Sequence, residues 1–346
     1  MDDEDVTSEW LSELLGGEIG SIRHERIGDG LVGMNLRVVL GDHAPELPDS
    51  VVIKLPSADP TSRMTGVMLR NYEREVKFYL GLADTVDIRV PHCHHGSWDE
   101  ASGDFVLVLE DMTPAAQGDQ IAGCDVATAR VAVAELARLH GPRWNDPTLD
   151  DVGWLTRRTG PQDGQELQGL YGMVFPQFIA IYRPYLSDEA AALAEAFGAR
   201  VAEFVQAGQE GAMAVTHGDY RLDNMLFASA AGGAPIAVVD WQTPGHGPPI
   251  NDLAYFCGAG LQPEDRRRHE RELLDVYAAG LAEYDVSVDG DWLWEQYRRD
   301  AFAGVIMAVI ASQIVGGSER SEGMFAAMAT RHLQHALDLD SLALIS

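Results

Sequence analysis

Cysteine, basic charge and long apolar runs are all in short supply in this chain. Its three cysteines, Cys93, Cys124 and Cys257, are too few and too scattered for a disulfide framework, which points to a reducing, cytoplasmic setting. Lys and Arg number 25 against 54 Asp and Glu, a net charge of −29. A nucleic-acid partner needs basic surface to meet phosphates, and an anionic membrane does too, so both are excluded as expectations. A cationic small molecule suits the balance, as does an ordinary self-repelling surface. The longest apolar run, "AFAGVIMAVIASQIVGG" from residue 301, is broken by Ser312 and Gln313 and falls short of the roughly 20 residues a span needs. It reads as a buried helix. The opening "MDDEDVTSEW" is acidic where a signal peptide would be basic and then apolar. Internal repeats and low-complexity tracts are also missing.

What is present is enough apolar material for a core, 46% of a chain of 346 residues, a length that favours two lobes. The first half is strand-rich. "RHERIGDGLVGMNLRVVL" reads as strand, glycine turn, strand, and "SVVIKLP" and "GDFVLVLED" are short β-branched runs. Between them "GVMLRNYEREVKFYLGLA" predicts a helix with Met68, Tyr72, Val76, Tyr79, Leu80 and Ala83 on one buried face. After residue 112 the pattern turns alanine-rich and helical, with Asp125 placed to cap a helix start. Gly16 and Gly17 end the first helix. The expected fold class is α+β, with a β-rich lobe over residues 1–111 and a helical lobe over 112–346.

One hairpin interrupts the helical half. "NMLFA" and "PIAVVDW" are joined by a turn placed at Gly232 and Gly233, which aligns Asn224 with Asp240 at the open end. Asp219 precedes Asn224 by five residues. Two carboxylates and an amide oxygen converging there suit Mg²⁺, which takes few protein ligands and leaves the rest to water and phosphates. The spacing His217, Asp219, Asn224 matches the H-x-D-x-x-x-x-N loop of phosphoryl transfer, where the aspartate is the base and the asparagine holds metal. Asp240 in "VVDW" is the second metal carboxylate. Lys54 in "VVIK" is placed to hold the nucleotide's α/β-phosphates, with a glutamate on the next helix as ion-pair partner. Periodicity leaves Glu73 and Glu75 equally eligible. "GDGLVG", with Gly28, Gly30 and Gly33, stands where a phosphate-covering loop belongs.

"HGDYRLDN" followed by "VVDWQ" resembles the aminoglycoside phosphotransferase superfamily, nearest its ecdysteroid-kinase-like branch. "EVKFY", "LVLEDM", "GDQIAGC", "LARLHGPRW" and "PPINDLAYF" add to the resemblance, which runs from about residue 25 to 260. It implies a bilobal protein-kinase-like fold and an ATP- and Mg²⁺-dependent kinase. It favours Glu75, in E-x-x-F-Y, as the partner of Lys54, and makes Glu110 to Met112 the hinge whose backbone meets adenine. The chain lacks the arginine of HRD, D-F-G and A-P-E, which argues for a small-molecule acceptor: an aminoglycoside, another sugar, a choline-like cation, an amino acid or a steroid. The rival reading is a catalytically inactive, kinase-shaped nucleotide-binding or regulatory module. Oligomeric state leaves no trace in the sequence.

Several candidates carry a plainer reading beside the chemical one. His217 orients the catalytic loop through hydrogen bonds or moves a proton. Arg221 contacts phosphate or makes a structural salt bridge, and Asp223 is a salt-bridge partner. Asp252 caps the helix that follows it or steadies the catalytic loop. "PHCHHG", residues 91–96, has the chemistry of a zinc tract, but neighbouring strand residues point to opposite faces and no second ligand pair follows at finger spacing. A metal-dependent hydrolase built on that cluster, His217 and Asp219 is the weakest rival.

Overall fold

The structure is a computed structural model describing residues 3–28, 33–158, 160–314 and 317–345. After helix α1 (Ser8–Leu15), strands β1 (Ile19–Ile27), β2 (Gly33–His43) and β3 (Ser50–Pro56) run antiparallel. Helices α2 (Pro60–Met68) and α3 (Asn71–Lys77) follow, then β4 (Cys93–Trp98) and β5 (Phe105–Glu110). The five strands make one antiparallel sheet in the order β1-β2-β3-β5-β4. Its central strands are covered on both faces, which is why "FVLVLE" is continuously apolar instead of alternating. Val106 and Val108 pack with Leu11 of α1 and with Val51, Ile53 and Leu55 of β3. Phe105, Leu107 and Leu109 pack on the opposite side with Tyr72 and Val76 of α3. Because side chains alternate along a strand, Lys54 leaves β3 on the α3 side while Ile53 and Leu55 leave it toward α1.

The helix expected across residues 66–83 is not one helix. Arg70 sits at φ +58° in the left-handed region and separates α2 from α3. A wider π-type turn over Phe78–Leu82 then shifts the phase again. Tyr72, Val76 and Tyr79 are buried as expected, but Met68 is 75% and Leu80 61% exposed, and Leu82 is buried in Leu80's stead. The break brings the Tyr72 ring against Gly66, where a β-carbon would overlap it.

The remainder is mostly helical: α4 (Val126–His140), α5 (Pro161–Tyr182), α6 (Asp188–Gly198), α7 (Val201–Gln209), α8 (Ile250–Gly260), α9 (Pro263–Ala282), α10 (Gly290–Asp300), α11 (Phe302–Ile314) and α12 (Glu319–Asp338). Asp125 caps α4 by accepting from Thr128 N, and Gly16 ends α1 at φ +73°. The apolar run near residue 301 forms α11, with Val305, Ala308 and Val309 buried; among the described residues no helix is long and apolar enough to cross a membrane. More strands interrupt this half than the one hairpin expected. β6 (Ala116–Gln117) pairs with β8 (Met225–Ser229), which pairs with β9 (Gly232–Val238), while β7 (Ala214–Thr216) pairs with β10 (Gly245–Gly247).

The β8–β9 register also departs from expectation. The chain reverses at Ala230 and Ala231, since Ser229 pairs with Gly232, and an irregularity between Phe227 and Ser229 moves the register back. Met225 therefore faces Val238, and Val239 N donates to Asn224 O at 2.9 Å, so Asn224 lies opposite Val239 instead of Asp240. Gly232 and Gly233, at φ +114° and +106°, form the start of β9; a β-carbon on Gly233 would press on Ala115.

Candidate functional site

Three elements meet at Lys54. Its ammonium pairs with Glu75 Oε1 on α3 and donates to Asp240 Oδ1, just beyond β9, at 3.1 Å. The choice between two glutamates is resolved by the break at Arg70. Glu73 is held by Arg70 at 2.7 Å and Lys77 at 2.6 Å, and Glu75 turns inward with no exposure. Gln242 Nε2 reaches the other Glu75 oxygen at 3.4 Å. Burial opposes the charge on Lys54, but Glu75 and Asp240 outweigh it and hold its pKa above the ordinary lysine value. Burial likewise pushes the Glu75 carboxyl up against the pull of Lys54. Asp240 adopts φ +67°, and its side chain stays 35% exposed.

The loop from His217 to Asn224 is built around Asp219. Asp219 Oδ1 accepts from Tyr255 OH at 2.7 Å, and Oδ2 accepts from Asn224 Nδ2 at 2.9 Å and Arg221 Nε at 3.0 Å. Burial works against the Asp219 charge; Arg221, the Tyr255 hydroxyl and His217 more than offset it, leaving the pKa below the usual aspartate value. Arg221 also donates to Asp223 at 2.7 Å, so it is a salt-bridge residue within the loop. His217 Nδ1 accepts from Asp219 N at 3.2 Å, which assigns the ring proton to Nε2, 3.0 Å from Val239 O. Both nitrogens serve the backbone. Asp252 is not the cap of the helix that follows it: α8 already begins at Ile250, and the carboxylate instead accepts from His217 N at 2.7 Å and Gly218 N at 3.0 Å.

Asn224 spends its amide nitrogen on Asp219; among the described residues its Oδ1 makes no hydrogen bond. That oxygen and the Asp240 carboxylate are hard donors of the kind Mg²⁺ takes. Glu110 ends β5, and Met112 lies two residues beyond it. Glu110 N–H is already given to His92 O at 2.8 Å, and its carboxylate pairs with Arg89 at 2.7 Å. Among the described residues the Met112 N–H donates to nothing. Gly28 stands at φ +68° and Gly33 starts β2. Gly30 lies outside the described residues. In the 91–96 segment, the His92 and His94 rings meet edge to face at 4.8 Å, and Cys93 donates to His95 O. Among the described residues no three His, Cys, Asp or Glu side chains group to hold a metal.

Two contributors went unassigned in the sequence. Tyr255 lies three residues after Asp252, one helical step along the same face of α8, so both reach the His217–Asn224 loop. That spacing was a usable signal. Gln120 was not traceable: its Oε1 accepts from Leu222 N at 2.9 Å and its N–H donates to Asp223, contacts made by a loop a hundred residues away.

Residues 160–288 match the Ecdysteroid kinase-like family. No curated protein matches the chain by sequence. Among solved structures, a Ralstonia eutropha protein ascribed to the aminoglycoside phosphotransferases is 19% identical, with TM-score 0.56 over 96% of this chain and 97% of that one. Choline kinase from Cryptosporidium parvum is 11% identical, with TM-score 0.60 over 94% and 91%. Spectinomycin phosphotransferase, solved with ADP and spectinomycin, is 13% identical, with TM-score 0.51 over 97% and 99%. Such identities show the fold alone: the chain has the bilobal protein-kinase-like fold of these structures.

Proposed function

We propose that the chain transfers the γ-phosphate of ATP to a hydroxyl of a small molecule. The observation that carries this reading is the meeting of Lys54, Glu75 and Asp240, from a strand, a helix and a hairpin end, beside a loop that presents Asp219 and Asn224. Phosphoryl transfer asks a protein chiefly for positioning and charge. In this reading the nucleotide lies between a lobe of residues 1–111 and one of 112–346. Met112 N–H receives the base, and Lys54, steadied by Glu75, takes the α/β-phosphates. Asn224 and Asp240 hold Mg²⁺, which when bound neutralises charge on the transferring group. Asp219 keeps the acceptor hydroxyl in line and takes its proton. His217 and Arg221 fix the loop that carries it. The relatives named for ADP, spectinomycin and choline support a nucleotide and a small, polar acceptor. Free thiols at Cys93, Cys124 and Cys257 suit a reducing cytoplasm.

The test is magnesium-dependent ADP release across a panel of aminoglycosides, sugars, amino alcohols, amino acids and sterols. At least one acceptor should raise release above the no-acceptor rate, and Asp219→Asn should cut the increase by about a hundred-fold or more while melting normally. ATP and Mg²⁺ raising the melting temperature with no acceptor-stimulated release would mark an inactive nucleotide-binding module instead. Full activity in Asp219→Asn would remove the base.

A further inference from the structure

We propose that Tyr255 is the positioning residue for Asp219, and that His332, seated between Gly258 and Gly304, fixes the ring of Tyr255. The proposal rests on the phosphotransferase reading, since it gives Tyr255 a role through the base. The terminal torsion of an aspartate is broad, so a carboxylate with one anchored oxygen can swing. Asn224 anchors Oδ2, Arg221 lies across both oxygens at 3.0 and 3.2 Å, and Tyr255 anchors Oδ1 at 2.7 Å. Tyr255 alone of these comes from outside the catalytic loop. It brings the direction of a buried helix, being 4% exposed on α8.

The ring of Tyr255 is held from behind. His332 of α12 stacks on it with centroids 5.1 Å apart and planes 11° apart. His332 is fully buried, and among the described residues neither ring nitrogen has a hydrogen-bond partner. Burial, with Arg331 and Arg266 nearby, pushes its pKa down to about 3, so the imidazole is an uncharged plate. Space for the plate is made by missing side chains. A β-carbon on Gly304 of α11 would overlap the imidazole, and one on Gly258 of α8 would lie 2.7 Å from Nδ1 of both His332 and His335. Unpaired buried polar atoms are costly, and an aliphatic side chain would avoid that cost. What an aliphatic residue does not provide is a flat face parallel to the phenol. The arrangement thus runs from three helices through two rings to one carboxylate oxygen.

The full-length protein, labelled at the tyrosine Cζ carbons, tests the contact without reference to turnover. The Tyr255 resonance, assigned by its loss in Tyr255→Phe, should move in Asp219→Asn and in His332→Leu, and stay in place in His332→Phe. No movement in Asp219→Asn or in His332→Leu overturns the proposal. Kinetics with ATP, Mg²⁺ and the acceptor found above, or water if none is found, test the consequence. Tyr255→Phe should lower kcat about ten-fold at unchanged KM for ATP. It should add nothing in an Asp219→Asn background, because its effect runs through that carboxylate. A kcat equal to that of the unsubstituted protein, or a full ten-fold loss added on top of Asp219→Asn, sinks the positioning role. An active Asp219→Asn protein in which the resonance still moves would instead sink the base assignment and leave the contact standing.

Discussion

Lys54 and Glu75 form an ion pair in which neither partner has water to fall back on: the lysine side chain is 10% exposed and the glutamate has no exposure. Removing one partner of such a pair leaves a bare buried charge, which costs more than the pair itself contributes. Lys54→Met should therefore cost about 3 kcal/mol of unfolding free energy. Adding Glu75→Leu should return most of it, since two apolar side chains then replace two charges. Activity should not return with stability, because no cation remains for the phosphates. Urea unfolding of the two variants checks the first statement and ADP release the second. A double variant no more stable than Lys54→Met would mean that Glu75 is not held by Lys54. Asp240 behaves differently, for its side chain is 35% exposed and solvent shares its charge. Asp240→Asn should leave the melting temperature within a degree or two and remove the magnesium dependence of nucleotide binding, read by thermal shift with and without Mg²⁺.

At the scale of elements, the His217–Asn224 loop depends on a backbone that only glycine adopts readily. Gly218 sits at φ +78°, and a β-carbon there would approach Thr243 O to 2.5 Å. The same loop is tied to α8 through Asp252 and to the following segment through Thr243 Oγ1, which donates to His217 O at 3.0 Å. Gly218→Ala should cost about 2 kcal/mol from the left-handed conformation alone, with the clash in addition. An unchanged melting temperature would show that the loop relaxes at no cost. Elements differed in how far the sequence revealed them. Strand β3 was readable because "SVVIKLP" is β-branched and bounded by turn residues. Lys54 and the His217–Asn224 spacing could be picked out because the proposed chemistry needs those types in that order. The helix across residues 66–83 was misjudged, since nothing in its apolar period signals a left-handed arginine at position 70. The hairpin turn was placed two residues late because paired glycines suggested the reversal, whereas they supply the positive-φ start of β9. A register error of one residue was harmless here: Val239 aligns with Asn224, and the positive-φ backbone at Asp240 turns that carboxylate to Lys54. Gln120 and His332 were invisible because their partners are distant in the chain, and tertiary packing alone brings them together.

For the whole molecule the dominant electrostatic fact is imbalance. Even with every Lys and Arg paired, 29 carboxylates remain uncompensated. The cations present are largely spent within the fold, as in Arg266 with Glu270 and Asp338, or Arg221 with Asp219 and Asp223. Like charges spread over a compact body repel one another, and salt screens them over about 10 Å at 0.1 M. The melting temperature should therefore rise by several degrees as sodium chloride goes from 10 to 300 mM, most of it below about 0.1 M, where the screening length shortens past typical surface charge spacings. Buried pairs such as Lys54–Glu75 are screened far less and should not reverse the trend. The same field acts on a ligand approaching from solution. A cationic acceptor would be drawn toward the protein at low salt, so its KM should rise with ionic strength while that of a neutral sugar stays level. Measuring both acceptors across one salt series separates a charge-steered acceptor from an uncharged one. A melting temperature that falls with added salt would mean that attractive pairs, not the excess of carboxylates, govern the stability of this fold.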